Sequence, residues 1–398
     1  MNRCAATLVA VLAVGLAMPT PAAAIPAFAR KYGTNCTMCH SSFPRLNDFG
    51  TRFRQNGYQL PGRESEEQSV IDGPVPLALR TSAGFNYERI RNAPGTGDLA
   101  QLQVNGLDLL AGGLLTRGIG FFAVVPPPIP EAPGLAEQQG TLEMANIILA
   151  TPATTWFRLR VGRFEPAYAA FSVKRQLSVS PYEIYTFGFP GGATVSDTQT
   201  GLELSGSGDG FEVAAGWVGG GANDPLDQVP ADFYLRLAKT FGAGAGQTAG
   251  QRIGLVGRLG HSRPDPSLPA ASRQSYWQAG VDASLNLWHF NLAAQGSIAI
   301  DRGALWGVSD RVVVWGGFVE LLYLPRTDLA VFGRFDGVST PTGIDQGAIL
   351  RWTAGARYYL FDNAAIHVEY SHRRQQARPS DGGTRTDHFV TLRLDFGV

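Results

Sequence analysis

The sequence predicts an all-β transmembrane barrel of about 16 antiparallel strands, preceded by a small α-helical segment. Three observations predict it. From Leu77 to the C-terminus the apolar period is two, in short segments separated by turn-rich stretches. The N-terminus reads as an export signal. The composition is poor in charge (17%) and rich in glycine (49 residues) and aromatics (10%), as suits strands with one oily face. Lys+Arg and Asp+Glu are 33 each, and this zero net charge argues against a nucleic-acid partner.

Residues 1–24 form the export signal. Met1-Asn2-Arg3 is a short positive start, Ala5 to Met18 carries no charge, and Ala22-Ala23-Ala24 is a small-residue cleavage site. The apolar run is too short for a spanning helix, and no second run reaches the roughly 18 residues that one needs. Cleavage after Ala24 removes Cys4 and leaves Cys36 and Cys39.

Residues 25–73 form the helical segment, and Cys36-Thr37-Met38-Cys39-His40 is its chemical centre. The pattern C-x-x-C-H is the attachment signal for a c-type haem. The two intervening residues let both thiols reach the two vinyl groups on one porphyrin edge, and His40 follows as an axial iron ligand. The segment therefore reads as a small c-type cytochrome unit carrying one covalent haem c. A disulfide between the two thiols is the competing reading for an exported chain, but it leaves His40 unexplained. A thioredoxin-like redox pair would need a βαβ context that the chain lacks. Phe43, Leu46, Phe49 and Phe53 recur at three- and four-residue intervals, which predicts an amphipathic helix packed on something apolar; the sharper reading makes that surface the porphyrin face. Ser42 before Pro44 marks its expected start and Gly57 its stop. Glu64 to Glu67 and Gly73-Pro74 form a polar linker.

Residues 74–398 form the barrel. The last segment is clearest: His388, Val390, Leu392, Leu394 and Phe396 share one face, and Asp387, Thr391, Arg393 and Asp395 the other. Segments of this kind are expected at 77–90, 99–112, 114–125, 139–150, 154–163, 196–206, 209–219, 230–241, 248–261, 272–286, 288–299, 310–323, 327–338, 348–361, 363–375 and 385–396. The even count suits a closed bacterial barrel, with turns alternately short and long, one of them the tight Asp362-Asn363 corner. A soluble protein of two sheets also alternates. The continuous oily face, the export signal and the terminal Phe396 favour the membrane form. Residues 164–195 break the rhythm, and two readings stand for them: a constriction loop folded into the lumen, or a long external loop. The wet face directs Arg158, Arg160, Arg236, Arg334, Arg351, Arg357 and Arg393 inward, partly offset by Asp232, Glu320, Asp336, Glu369, Asp387 and Asp395.

Residues 26 to 58 carry a resemblance. Pro26-Ala27-Phe28-Ala29-Arg30-Lys31-Tyr32-Gly33, the haem signal, Pro44-Arg45-Leu46-Asn47-Asp48-Phe49-Gly50, Phe53 and Asn56-Gly57-Tyr58 are similar to the monohaem cytochrome–porin fusions of bacterial outer membranes, which oxidise ferrous iron outside the cell. Beyond residue 58 the likeness is architectural, although Val161-Gly162-Arg163-Phe164-Glu165-Pro166 also resembles anion-selective porins. The resemblance implies an outer-membrane protein that takes electrons from extracellular Fe(II), or another small reductant, and passes them to a periplasmic c-type cytochrome. By position it makes Cys36 and Cys39 the thioether residues and His40 the proximal ligand. The alternative is a porin, anion-selective in character, whose haem segment is a plug or sensor. A sixth iron ligand tunes the potential of such a haem. Met144 is the candidate carried forward, against a reading as apolar filler; His261, His289, His367, His372, His388 and Lys31 are the others, and an open position also stands. His388 falls on the oily face, and His367 is expected to be solvated in the lumen beside Glu369.

Overall fold

The structure is a computed structural model that describes residues 27–60, 69–70, 77–92, 96–151, 155–188, 193–219, 232–242, 250–262, 274–301, 311–339, 347–376 and 384–397. The export signal, and the linker at Glu64 to Glu67 and Gly73-Pro74, lie outside the described residues.

Two short strands, β1 (His40–Ser42) and β2 (Arg45–Leu46), form a hairpin in the N-terminal segment. The barrel strands follow: β3 (Leu77–Arg91), β4 (Gly97–Thr116), β5 (Ile119–Val125), β6 (Met144–Ala150), β7 (Arg158–Phe164), β8 (Gln199–Gly208), β9 (Phe211–Gly219), β10 (Asp232–Phe241), β11 (Gln251–Ser262), β12 (Gln274–Leu287), β13 (Phe290–Asp301), β14 (Val312–Arg326), β15 (Leu329–Ser339), β16 (Ile349–Phe361), β17 (Ala364–Gln376) and β18 (Thr384–Gly397). Each pairs antiparallel with its sequence neighbours, and β18 returns to β3 (Leu392 opposite Phe85) to close a barrel of 16 strands. Every expected segment is matched by one strand. The largest departures are at 114–125, where β5 starts only at Ile119, and at 139–150, where β6 starts only at Met144. Its partner β5 ends at Val125, and Pro126, Pro127 and Pro128 after it have no N–H to continue the ladder.

The burial pattern is inverted relative to a soluble protein. On β14, Glu320 is 0% exposed while its neighbour Leu321 is 46% exposed. On β17, His367 and Glu369 are buried while Ile366, Val368 and Tyr370 face outward. Charges inside and aliphatic and aromatic side chains outside are the signature of a barrel in lipid, and they remove the two-sheet soluble reading. Two-residue turns at 117–118, 209–210, 288–289, 327–328 and 362–363 share one end with the first residue of β3 and the last of β18. Long connections such as 126–143 and 165–198 share the other end.

Two elements fill the lumen from within. The first is residues 27–60, with helices α1 (Ala27–Tyr32) and α2 (Asp48–Gln55). Phe53 and Tyr58 pack on Phe122, Val124, Met144 and Ile148 of β5 and β6, with Phe28, Tyr32 and Phe49 at the edge of this cluster. The second is residues 165–188 and 193–198, which carry α3 (Glu183–Thr186). Tyr182 donates to Glu320 at 2.5 Å, Arg351 pairs with Glu183 at 2.7 Å, and the amides of Val179 and Ser180 donate to Glu369 at 2.7 Å. Of the two readings of this stretch, the luminal one is therefore correct.

The expected helix start is corrected. Ser42 lies in β1 and Leu46 in β2, and α2 begins after Asn47. Asn47 is the better cap: its side chain accepts from the Gly50 amide at 2.8 Å, and Asp48 adds negative charge to the first turn. Gly57 does end the helix. It has φ +67°, and the Tyr58 amide donates back to Phe53 at 3.0 Å, a left-handed cap that favours glycine.

Candidate functional site: the C-x-x-C-H cavity

The C-x-x-C-H motif is a tight turn docked on the start of α2. Cys36–Met38 makes one 3-10 turn, closed by the Cys39 amide on the Cys36 carbonyl at 3.2 Å. Asn47 holds it from the other side. Its amide nitrogen donates to the Cys39 carbonyl at 3.0 Å and its side chain to the Met38 carbonyl at 3.1 Å. One residue thus caps the helix and fixes the loop.

Cys36 and Cys39 are not bonded to each other. The Cys36 thiol donates to the Asp362 carbonyl at 3.3 Å, which places the motif at the short-turn end of the barrel. Burial pushes both thiols up to about 11. The Nδ1 atom of His40 lies 3.0 Å from the Pro44 carbonyl. A carbonyl only accepts, so Nδ1 carries the proton and Nε2 keeps its lone pair. Burial, with the nearby Arg175 charge, pushes the imidazole down to about 4, so it is neutral at ordinary pH. A neutral ring with its tautomer fixed by a backbone carbonyl is the form that ligates a metal.

These groups open on a cavity of about 640 Å³ between the N-terminal segment and the barrel wall. That volume lies in the range of cofactor sites. Phe28, Tyr32, Phe53, Leu110, Phe122 and Met144 give it an apolar wall, while Arg80, Arg175, Arg357, Tyr359 and Arg393 give it a polar one. Two thiols, a neutral imidazole, an apolar wall and cations able to meet carboxylates fit a covalently held haem. Among the described residues, no group of three His, Cys, Asp or Glu is placed to hold a bare metal ion.

Of the sixth-ligand candidates, Met144 lines the same cavity as Cys36, Cys39 and His40. The others are elsewhere. His261 lies 3.5 Å from Asp232, and His289 sits in the exposed 288–289 turn. His372 and His388 face each other on the outer surface with ring centres 4.7 Å apart. The Lys31 ammonium lies over the Tyr32 ring at 5.1 Å. The expectation of a solvated His367 is overturned. It is buried against Glu369 at 3.2 Å, because the luminal loop covers the pair through its Val179 and Ser180 amides.

The inward arginines are inward as expected, but carboxylates meet them. Arg160 pairs with Glu203 at 2.9 Å, Arg236 with Asp282 at 2.8 Å, Arg334 with Asp336 at 2.9 Å, and Arg357 and Arg393 share Asp395. Sequence reading missed Arg45, which crosses the lumen to Glu320 at 2.5 Å, and Tyr359, which bonds Ser42 and the Phe43 carbonyl. It also missed Arg175. Nothing local marks Arg45 and Tyr359, since their partners lie far along the chain, and the place of Arg175 in the cavity depends on the luminal course of its loop.

No family model matches the sequence. No characterised protein matches it either. Solved structures do match its fold. An anion-selective porin from Comamonas acidovorans superposes with a TM-score of 0.58 at 11% identity, covering 82% of this chain and 100% of that one. The outer membrane channel DcaP of Acinetobacter baumannii gives 0.56 at 11%, covering 81% and 97%. Salmonella typhi OmpF, in complex with daunomycin, gives 0.54 at 15%, covering 80% and 97%. The chain has the fold of the outer-membrane porins. At these identities the likeness is one of fold.

Proposed function

We propose that this chain is an outer-membrane electron-transfer protein whose barrel lumen holds a single covalent haem c. The observation that carries the reading is the His40 tautomer. Its Nδ1 is committed to the Pro44 carbonyl, which leaves Nε2 as the nitrogen with the lone pair, beside two thiols not bonded to each other, at the edge of a cavity with one apolar wall. Cys36 and Cys39 would form the thioether bonds, His40 would hold the iron on one side, and Met144 is the proposed ligand on the other. The haem would supply a one-electron centre.

The chain's own residues shape that centre. Phe28, Phe53 and Phe122 exclude water from one wall, and α2 fixes the motif through Asn47. The motif lies at the short-turn end, which faces the periplasm in barrels of this type. A periplasmic c-type cytochrome could accept the electron there. The donor would be extracellular Fe(II) or another small reductant, approaching through the lumen past the 165–198 loop. The resemblance of residues 26 to 58 to iron-oxidising cytochrome–porin fusions supports this donor.

The test is spectroscopic. The full chain, exported in a strain that attaches haem, is mixed with Fe(II) and its visible bands are followed between acid and neutral pH. Appearance of the reduced bands is expected. A silent spectrum throughout that range removes Fe(II) as the donor.

A second reading is favoured by the fold itself: a porin whose haem segment is a plug or sensor. Planar-bilayer recording separates the two. An anion-preferring conductance that persists when Cys36 and Cys39 are replaced supports the channel.

A further inference from the structure

We infer that Arg175, carried by the luminal loop between β7 and β8, holds one carboxylate of the cofactor seated in the motif cavity. The inference rests on the reading that the motif carries haem c.

Six cations line this cavity, and their partners differ. Arg54 pairs with Glu165 at 3.4 Å, Arg80 with Asp108 at 2.5 Å and Lys174 with Glu143 at 3.3 Å. Arg357 and Arg393 share Asp395. Arg175 pairs with no carboxylate among the described residues. Its guanidinium donates to the Ser172 hydroxyl at 3.2 Å and lies 5.7 Å from the centre of the Phe122 ring. Burial first, then the like charges of Arg54 and Arg80, lower its pKa to about 10, although the Glu165 carboxylate beyond Ser172 pulls the other way. A desolvated cation beside like charges calls for an anion, and a guanidinium matches a carboxylate with two parallel hydrogen bonds. A haem brings two carboxylates on an otherwise apolar disc.

The loop is built to deliver this side chain. The Glu165 carboxylate accepts from the Ser172 hydroxyl at 2.7 Å and from the Val173 amide, which fixes the turn Val173–Arg175. Glu165 is itself tied to Arg54 on α2. The loop is thereby locked to the haem-bearing segment, and its next turn reaches the cavity. In this position Arg175 offsets negative charge near the iron. Its removal would favour the more positive, oxidised state and lower the midpoint potential.

The test is a spectroscopic redox titration of the full-length, haem-loaded protein. Arg175→Gln should keep covalent haem at the wild-type ratio and shift the reduced-to-oxidised ratio at fixed potential about tenfold toward oxidised, roughly 59 mV for one electron. Arg175→Lys keeps the charge but loses the planar fork, so a smaller shift in the same direction is expected; it also serves if the Gln variant fails to assemble. Lys174→Gln, one residue away and already paired with Glu143, should shift the potential by less than Arg175→Gln does. A wild-type potential in both Arg175 variants, or an equal shift in Lys174→Gln, overturns the assignment. A wild-type chain without covalent haem overturns the underlying reading instead, and this one with it.

Discussion

Gly50 of α2 lies against the carbonyl oxygen of Cys39, so closely that a methyl group at Gly50 would collide with it. Helix and haem signal are therefore one packed unit, held by the absence of a side chain. Gly50→Ala must push them apart, at an overpacking cost of about 1–3 kcal/mol. The expected result is a chain that still assembles as a barrel but carries less covalent haem. Mass spectrometry of the exported protein gives the ratio of haem-loaded to bare chain. An unchanged ratio would mean that the helix slides freely.

Arg45 and Glu320 tie the N-terminal segment to the far wall of the barrel, with both side chains nearly excluded from solvent. Breaking a buried pair by removing one partner costs about 3–5 kcal/mol, because the other charge stays buried. Arg45→Met leaves Glu320 with the Tyr182 hydroxyl but without its cation. Protease sensitivity of the 27–60 segment should rise in that variant while the barrel resists. Adding Glu320→Gln should restore much of the protection. Equal sensitivity in the single and double variants would show that the pair contributes nothing.

Glu165 makes the attachment of the luminal loop to α2 dependent on pH. Burial alone would raise its carboxyl; the Arg54 and Arg175 charges and the Ser172 hydroxyl reverse this and hold it below the usual range. A carboxyl depressed in the folded state contributes stability above its ordinary value of about 4.3, and loses it as pH falls through the lower folded value. Channel conductance of the barrel should thus be unchanged from neutral pH to about 5 and rise only in stronger acid. Glu165→Gln should show the raised conductance at neutral pH. A transition near pH 6 would falsify this assignment.

His40 and Met144 are separable by different substitutions. His40→Ala should impair haem attachment yet leave barrel assembly intact, because closure uses β3 to β18 alone. Loss of outer-membrane assembly in that variant would contradict the two-part organisation. Met144→Leu conserves volume in the Phe53–Phe122 cluster, at a cost under about 1.5 kcal/mol, and removes only the sulfur. A changed spectrum of the oxidised haem is expected. An unchanged spectrum with normal loading would make Met144 a packing residue.

How much of this was legible in sequence depends on the range of each signal. Barrel strands are written locally: a period of two records which side chain faces lipid, so Glu320 beside Leu321 already states the wall. The Phe43 and Leu46 spacing misled because two accidental repeats matched a helical period, whereas the capping chemistry of Asn47 and Asp48 marked the true start. The luminal course of 165–198 was undecidable, because Glu183 meets Arg351 and Glu369 meets Ser180 across more than a hundred residues of chain.

The sequence by itself determined the barrel, its strand count and the two thiols and imidazole of the motif, because periodicity and C-x-x-C-H spacing are properties of neighbouring residues. Only the tertiary structure decided that His40 commits Nδ1 to the Pro44 carbonyl, that Met144 shares its cavity, and that Arg175 enters it bonded to the Ser172 hydroxyl, with no ion pair to a carboxylate among the described residues. Those facts arise when closure of the barrel brings the N-terminal segment, the wall and the luminal loop into one confined space, where burial makes each unmatched charge costly.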